Sequence, residues 1–240
     1  MDDGEQTTAR VLGVFAKQPQ PGQVKTRLAA ATSAAWAAEV ARAFLLDTLG
    51  RLEQVAAERL VAFAPAEARS FFAPIVQGRF GLVAQAEGDL GQRMTDFLAP
   101  RLQASPTSVV LVGTDSPDLP VAFVEQAFEA LVRADLVLGP AMDGGYYLIG
   151  CTGRVPPIFG NIAWGTARVL EQTIAALQGS GHRLVLLPPW YDVDTWADWE
   201  MLRGIVQARR RAGLDPAMPN TEKLLQDSRA GVAAPTNPAG

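Results

Sequence analysis

The sequence predicts an α/β fold: a three-layer α/β/α sandwich around a mostly parallel central sheet. Three observations lead there. Short apolar runs recur along the 240 residues and read as buried strands. Longer segments with apolar residues at helical spacing lie between most of them. Polar turns rich in Gly, Pro and Asp separate the two kinds. Strands alternating with helices in this way build a parallel sheet covered on both faces.

The elements follow in order. Residues 11–16 (VLGVFA) read as the first strand, and a polar loop follows over residues 17–27. Residues 33–52 are alanine-rich and helical, with Trp36, Val40, Phe44 and Leu45 at core-facing positions. Residues 59–64 give a second strand, 66–76 a helix, 82–86 a third strand and 91–103 a helix. The VVLV run at 109–112 is the clearest buried strand and ends in GTDSPDLP. Residues 123–132 read as a helix. Residues 136–138 and 146–150 read as strands, with Asp143-Gly144-Gly145 as the turn between them. A helix over 167–177, a strand over 184–187 and a helix over 194–211 complete the series. Asp194 and Thr195 are the capping candidates of that last helix. Residues 1–212 are expected to form one nucleotide-binding domain. Residues 213–240 are expected to form a partly disordered tail, mobile over about the last ten residues.

Composition limits the chemistry. A hydrophobic fraction of 48% supports an ordinary globular core. The net charge of −4 argues against nucleic acid as a partner, since that needs a basic surface. It leaves room for a nucleotide, whose diphosphate one metal ion and a few lysines can neutralise. The single cysteine, Cys151, excludes an internal disulfide and a cysteine-cluster zinc site, and it fits a reducing cytoplasm. The single histidine, His182, reads as a loop residue at a strand start and excludes a histidine-rich metal site. A metal here must be held mainly by carboxylates, which suits Mg²⁺ or Mn²⁺ better than zinc. Residues 1–10 are polar and acidic, and no run approaches the roughly 18 apolar residues of a membrane helix. The expectation is a cytoplasmic protein without a membrane span. A serine or cysteine hydrolase is disfavoured: there is no Gly-x-Ser-x-Gly elbow, and Cys151 reads as core.

In open parallel sheets, ligands sit beyond the carboxyl ends of the strands. Three polar clusters follow apolar strands and could share one such rim. The first, KQPQPGQVKTRL, carries Lys17, Gly22, Lys25, Thr26 and Arg27; its cations and free backbone N–H groups suit phosphate, although a basic loop can equally be solvated. It lacks Walker spacing. The second sets Asp115 at the tip of the VVLV strand, where a carboxylate can hold Mg²⁺, or where Asp, Ser and Pro simply form a turn. Asp118 reads rather as a turn or cap residue. The third, Asp192-Val193-Asp194, offers Asp194 as a second metal ligand, a helix cap, or both. Asp143-Gly144-Gly145-Tyr146 reads either as an acceptor contact or as a plain hairpin turn. Arg93 in GDLGQRM could meet a base or phosphate, and Trp164 either walls the acceptor or packs in the core.

Taken together, KQPQPGQVKTRL, GDLGQRM, GTDSPDLP, DGGYYLIG and DVDTWAD resemble the small bacterial proteins known as glycosyltransferase-A-like, or radical-SAM (selenodomain)-associated, transferases. These lie within the nucleotide-diphospho-sugar transferase superfamily. The resemblance runs from about Val11 to Val206. It implies a glycosyltransferase-A-like, Rossmann-like fold and a metal-dependent transferase with a nucleotide-activated donor. Lys25, Thr26 and Arg27 would lie against the phosphates, and Asp115 and Asp194 would hold the metal. Lys17, Gly22 and Arg93 would add nucleotide contacts. Gly144, Gly145, Tyr146 and Trp164 would face the small-molecule acceptor, with Asp143 orienting or deprotonating it. Lys25 and Arg27 would stabilise developing phosphate charge. The chain departs from nucleotidyltransferases at its entrance, where VFAKQPQPGQVKTRL replaces a glycine-rich loop. Glycosyl transfer from a sugar-nucleotide is therefore the first reading. Nucleotidyl transfer from an NTP, releasing pyrophosphate, is the second. A non-catalytic nucleotide- or partner-binding module is the third. The sequence is compatible with a homodimer.

Overall fold

The strands of the chain alternate their side chains between two helical layers, and that alternation organises the core. The computed structural model describes residues 8–103 and 107–227. Its sheet contains β1 (Ala9–Lys17), β2 (Glu58–Ala64), β3 (Gly81–Ala84), β4 (Thr107–Val112), β5 (Leu136–Pro140), β6 (Tyr146–Thr152) and β7 (Leu184–Leu186). The strand order is β3-β2-β1-β4-β6-β5-β7. All pairings are parallel except those of β6, which runs antiparallel between β4 and β5. The expected α/β/α sandwich with a mostly parallel sheet is therefore the observed architecture.

Leu12, Val14 and Ala16 of β1, with Val110 and Val112 of β4, pack against α2 (Ala34–Leu52), α3 (Arg69–Val76) and α5 (Val121–Ala130). Their neighbours Val11, Val109 and Leu111 pack on the other side against α4 (Leu90–Leu102) and α6 (Val169–Leu177). Every residue of β4 is buried, as a strand covered on both faces requires. The parallel direction sends the ends of β1, β4, β5 and β7, and the start of β6, to one rim. All three polar clusters of the sequence lie there.

Three local features differ from the sequence expectations. The loop after β1 closes into a short helix, α1 (Thr26–Ala31), which is anchored by buried Leu28. Before α7 (Trp196–Arg211), the cap is Thr195 in a reciprocal capping box with Asp198, so Asp194 is not used as the cap. The packed unit also extends past residue 212, where the sequence reading closed the domain. Helix α8 (Pro219–Asp227) follows, with Met218 and Leu225 buried against Phe44, Trp199 and Val206. The Pro- and Gly-containing composition of this stretch concealed its anchor, which lies on α2. The buried Asp47 carboxylate accepts hydrogen bonds from Asn220 N and Nδ2 (3.1 and 2.7 Å) and from Thr221 N and Oγ1 (2.8 and 2.6 Å). About the last ten residues of the tail, expected to be mobile, fall within 228–240, which with residues 1–7 lie outside the described residues. Among the described residues, no helix is long and apolar enough to cross a membrane.

Four hydrogen bonds to one buried carboxylate are the main polar tie of α8. Asp47→Ala is expected to lower stability by about 3 kcal/mol, because it leaves the first N–H groups of the helix without an acceptor. Urea unfolding checks this; a midpoint unchanged from wild type would show that the apolar packing and the Arg210–Glu222 ion pair with α7 suffice to hold α8.

Candidate functional site

A cavity of about 420 Å³ opens at this rim. That volume suits a nucleotide-sized ligand. One part of its wall is apolar, formed by Phe15, Leu90, Met94, Leu111 and Tyr146. Elsewhere its lining carries charge from Lys17, Lys25, Asp115 and Asp194.

The charged part is built from three chain segments. After β1, Lys17 Nζ donates to the carbonyl of Gln23 (2.9 Å) and so ties the loop into a ring. Lys25 follows at the N-cap of α1 in a left-handed conformation (φ 47°, ψ 44°), without a side-chain cap. A β-carbon residue adopts this region at a cost. Its ammonium enters the cavity wall and donates to both Asp115 and Asp194, the latter at 2.9 Å. The Lys25 side chain is only 4% exposed. Burial works to lower its pKa, but the charges of Asp115 and Asp194 outweigh burial and hold it above the ordinary lysine value. Arg27 reaches the other oxygen of Asp194 (2.7 Å) from a more exposed position.

The two acidic loops are pinned to each other. Val193 N donates to the carbonyl of Asp115 (3.0 Å), and Ser116 Oγ donates to Asp192 (2.6 Å). Below them Asp118, fully buried, accepts from Trp190 Nε1 (3.2 Å) and the Tyr191 hydroxyl, and it faces Arg209 at 3.8 Å. Asp118 is thus a structural tie between the GTDSPDLP loop and the approach to α7. Asp192 is pushed up to about 6, first by burial, with Asp115, Asp143 and Asp194 adding to it and the Ser116 bond opposing it. The sequence singled out Asp194 and not Asp192, although both share the loop.

Lys17, Lys25, Asp115, Tyr146 and Asp194 line one cavity, and Arg27 adjoins it through Asp194. The other sequence-selected residues stand back from the cavity wall. Gly22 is at the exposed loop tip, and Thr26 is the first residue of α1. Arg93 Nε donates to the Gly88 carbonyl (2.9 Å), closing the turn before α4. Asp143 accepts from Gly145 N (2.9 Å) within the β5–β6 hairpin. Gly144 has φ +91°, and a β-carbon there would run into the Ala167 backbone. Trp164 packs edge-on against Tyr146 and beside Phe159, and it presses on Gly91 at the start of α4.

Gln85, unselected by the sequence reading, lines the cavity just after β3. Its amide nitrogen donates to the main-chain carbonyl of Ala62 (2.7 Å) and approaches that of Ala16 (3.5 Å). Two carbonyl partners force the NH₂ end toward the backbone, which leaves Oε1 as an acceptor. A lone glutamine after a short strand carries no motif, so only the fold could reveal it.

Among the described residues, no group of three or more His, Cys, Asp or Glu converges as a metal cage. Asp115 and Asp194 converge as a pair on one cation, the Lys25 ammonium. A pair of carboxylates fits a Mg²⁺- or Mn²⁺-type ion whose remaining ligands are water and substrate phosphate.

Comparisons agree with this architecture. A protein from Desulfovibrio desulfuricans G20, described as a candidate nucleotide-diphospho-sugar transferase, superposes with a TM-score of 0.80 at 31% identity, over 92% of this chain and 98% of that one. A cytidylyltransferase from Leptospira borgpetersenii shares the fold at 12% identity and TM-score 0.54, over 97% and 99% of the two chains. So does the CMP:2-keto-3-deoxy-manno-octonic acid synthetase complexed with CTP, at 11% identity and TM-score 0.53, over 84% and 100%. No curated protein matches in sequence. Residues 45–166 match the model of the family described as "Uncharacterized protein conserved in bacteria (DUF2064)", and the chain belongs to that family.

Proposed function

We propose that the protein is a transferase that takes a nucleotide-activated donor, a sugar-nucleotide first, in the cavity at the carboxyl rim of the sheet. The observation that carries this reading is the convergence of Asp115 and Asp194 on one buried cation beside that cavity. The 31% identity to a candidate nucleotide-diphospho-sugar transferase over nearly the whole chain supports the donor class.

Asp115 and Asp194 would hold a divalent cation, Mg²⁺ or Mn²⁺. When bound, such an ion neutralises the charge of a leaving diphosphate. The chain's own residues supply the rest. The donor's base would lie against Phe15, Leu90 and Met94, with the Oε1 of Gln85 as a hydrogen-bond acceptor. Lys17 holds the loop closed through Gln23, and Lys25 adds positive charge where phosphate oxygens would come. Tyr146 walls the cavity from β6, backed by Trp164. Asp143, on the neighbouring hairpin, would orient the acceptor or take its proton.

A thermal-shift screen of UDP-, GDP-, CDP- and ADP-sugars and the four NTPs, each with Mn²⁺, Mg²⁺ or EDTA, tests the reading. One nucleotide class should raise the melting temperature in a metal-dependent way. At a hundredfold excess over Kd the gain is about 2.7 kcal/mol. Asp115→Asn should remove the metal-dependent part. The absence of any shift across the panel would overturn the nucleotide reading. Released NDP or pyrophosphate then separates glycosyl from nucleotidyl transfer, and binding without turnover marks a non-catalytic module. Gln85→Ala should weaken the responding nucleotide by about tenfold, near the net value of one hydrogen bond, while its melting temperature without ligand stays close to wild type. Unchanged affinity would remove Gln85 from the base contact.

A further inference from the structure

Lys25 occupies the place that the proposed function gives to the divalent cation. Its ammonium lies between Asp115 and Asp194, and among the described residues no other hydrogen-bond acceptor holds it. It also lies over the Phe44 ring, 5.2 Å from its centre. A divalent ion would need the same carboxylate oxygens at roughly 2.1 Å. An ammonium left about 3 Å from it would be strongly repelled, even at the effective dielectric of a protein surface.

We propose that Lys25 is an exchangeable counter-ion: a divalent cation binding Asp115 and Asp194 expels the Lys25 ammonium from between them and frees it for a donor phosphate, so that cation and nucleotide bind cooperatively. This rests on the reading of Asp115 and Asp194 as the cation's ligands. Several features favour exchange over a fixed structural bridge. The lysine lines the ligand cavity, so open volume lies beside it. Its four-carbon stem lets the head group swing without backbone movement. Arg27 stays on the second oxygen of Asp194 and keeps that carboxylate oriented while the first oxygen changes partner. The displaced ammonium remains charged, and phosphate oxygens are the partner it would then seek. Linkage makes the effect reciprocal: whatever draws Lys25 to phosphate also raises affinity for the cation.

The test is calorimetric titration of Mn²⁺ alone into the full chain, wild type and Lys25→Met, with Asp115→Asn as the control for site. Removing the competitor should tighten Mn²⁺ binding by about tenfold. The melting temperature of Lys25→Met without Mn²⁺ should fall, since two carboxylates are left facing each other, and Mn²⁺ should restore it. Equal or weaker Mn²⁺ affinity in Lys25→Met, with binding still abolished by Asp115→Asn, overturns the exchange and leaves the metal reading intact. Mn²⁺ binding to neither wild type nor Lys25→Met overturns the metal reading, and the exchange with it. Should Lys25→Met fail to fold, ¹⁵N-lysine NMR of the wild type decides. The protected Lys25 ammonium signal should shift or vanish on Mg²⁺ addition and return with EDTA; a signal unchanged at saturating Mg²⁺ overturns the proposal.

Discussion

One buried ammonium joins all three segments of the charged rim. Lys25 joins the loop after β1 to Asp115 after β4 and to Asp194 before α7. A charge that is 96% shielded from water is tolerable only with partners of opposite sign. Remove the lysine and two carboxylates confront each other; remove either acid and the lysine loses half its compensation. The three segments must therefore fold against one another, and they enclose the cavity when they do. Arg27 brings the cations level with the carboxylates in this cluster, while Asp192 and Asp143 keep the surrounding rim acidic.

The sheet explains why these segments meet. Parallel β1, β4, β5 and β7 deliver their following loops to the same edge. The antiparallel β6 is the exception that shapes the site. Inserted between β4 and β5, it starts at that edge and sets Tyr146 and Tyr147 into the cavity wall beside the β4 tip. Its hairpin brings Asp143 to the rim, and Gly144 lets the backbone pass close under Ala167.

The carboxylates of the chain divide by their partners. Asp47 accepts four hydrogen bonds from the start of α8, and Asp118 is enclosed by Trp190, Tyr191 and Arg209. Both are satisfied by fixed donors and serve the fold. Asp115 is different: its side chain is 54% exposed, lines the cavity and is held by one ammonium, that of Lys25. A carboxylate at a strand tip that keeps open space beside it is the one of the three that the proposed function can use.

Much of this was legible in the chain. Continuous apolar runs in VLGVFA and VVLV and helical spacing around Val40 and Phe44 pointed to the sandwich, because these signals are local. The placing of polar clusters after apolar strands pointed to one rim, and Lys25, Asp115 and Asp194 were selected from their loops. Tertiary structure alone decided the rest. Asp194 was free for the site only because Thr195 and Asp198 cap α7. Gln85 entered the cavity because β3 lies two strands from β1 and ends where the β1 loop begins. Helix α8 formed in a stretch read as tail because Asp47, 173 residues away, accepts from its first N–H groups. The meeting of Lys25 with two acids 90 and 169 residues distant belongs to the same class. Local sequence sets which backbone shape each segment prefers; which charged group ends beside which is set by strand order, and strand order is a property of the whole chain.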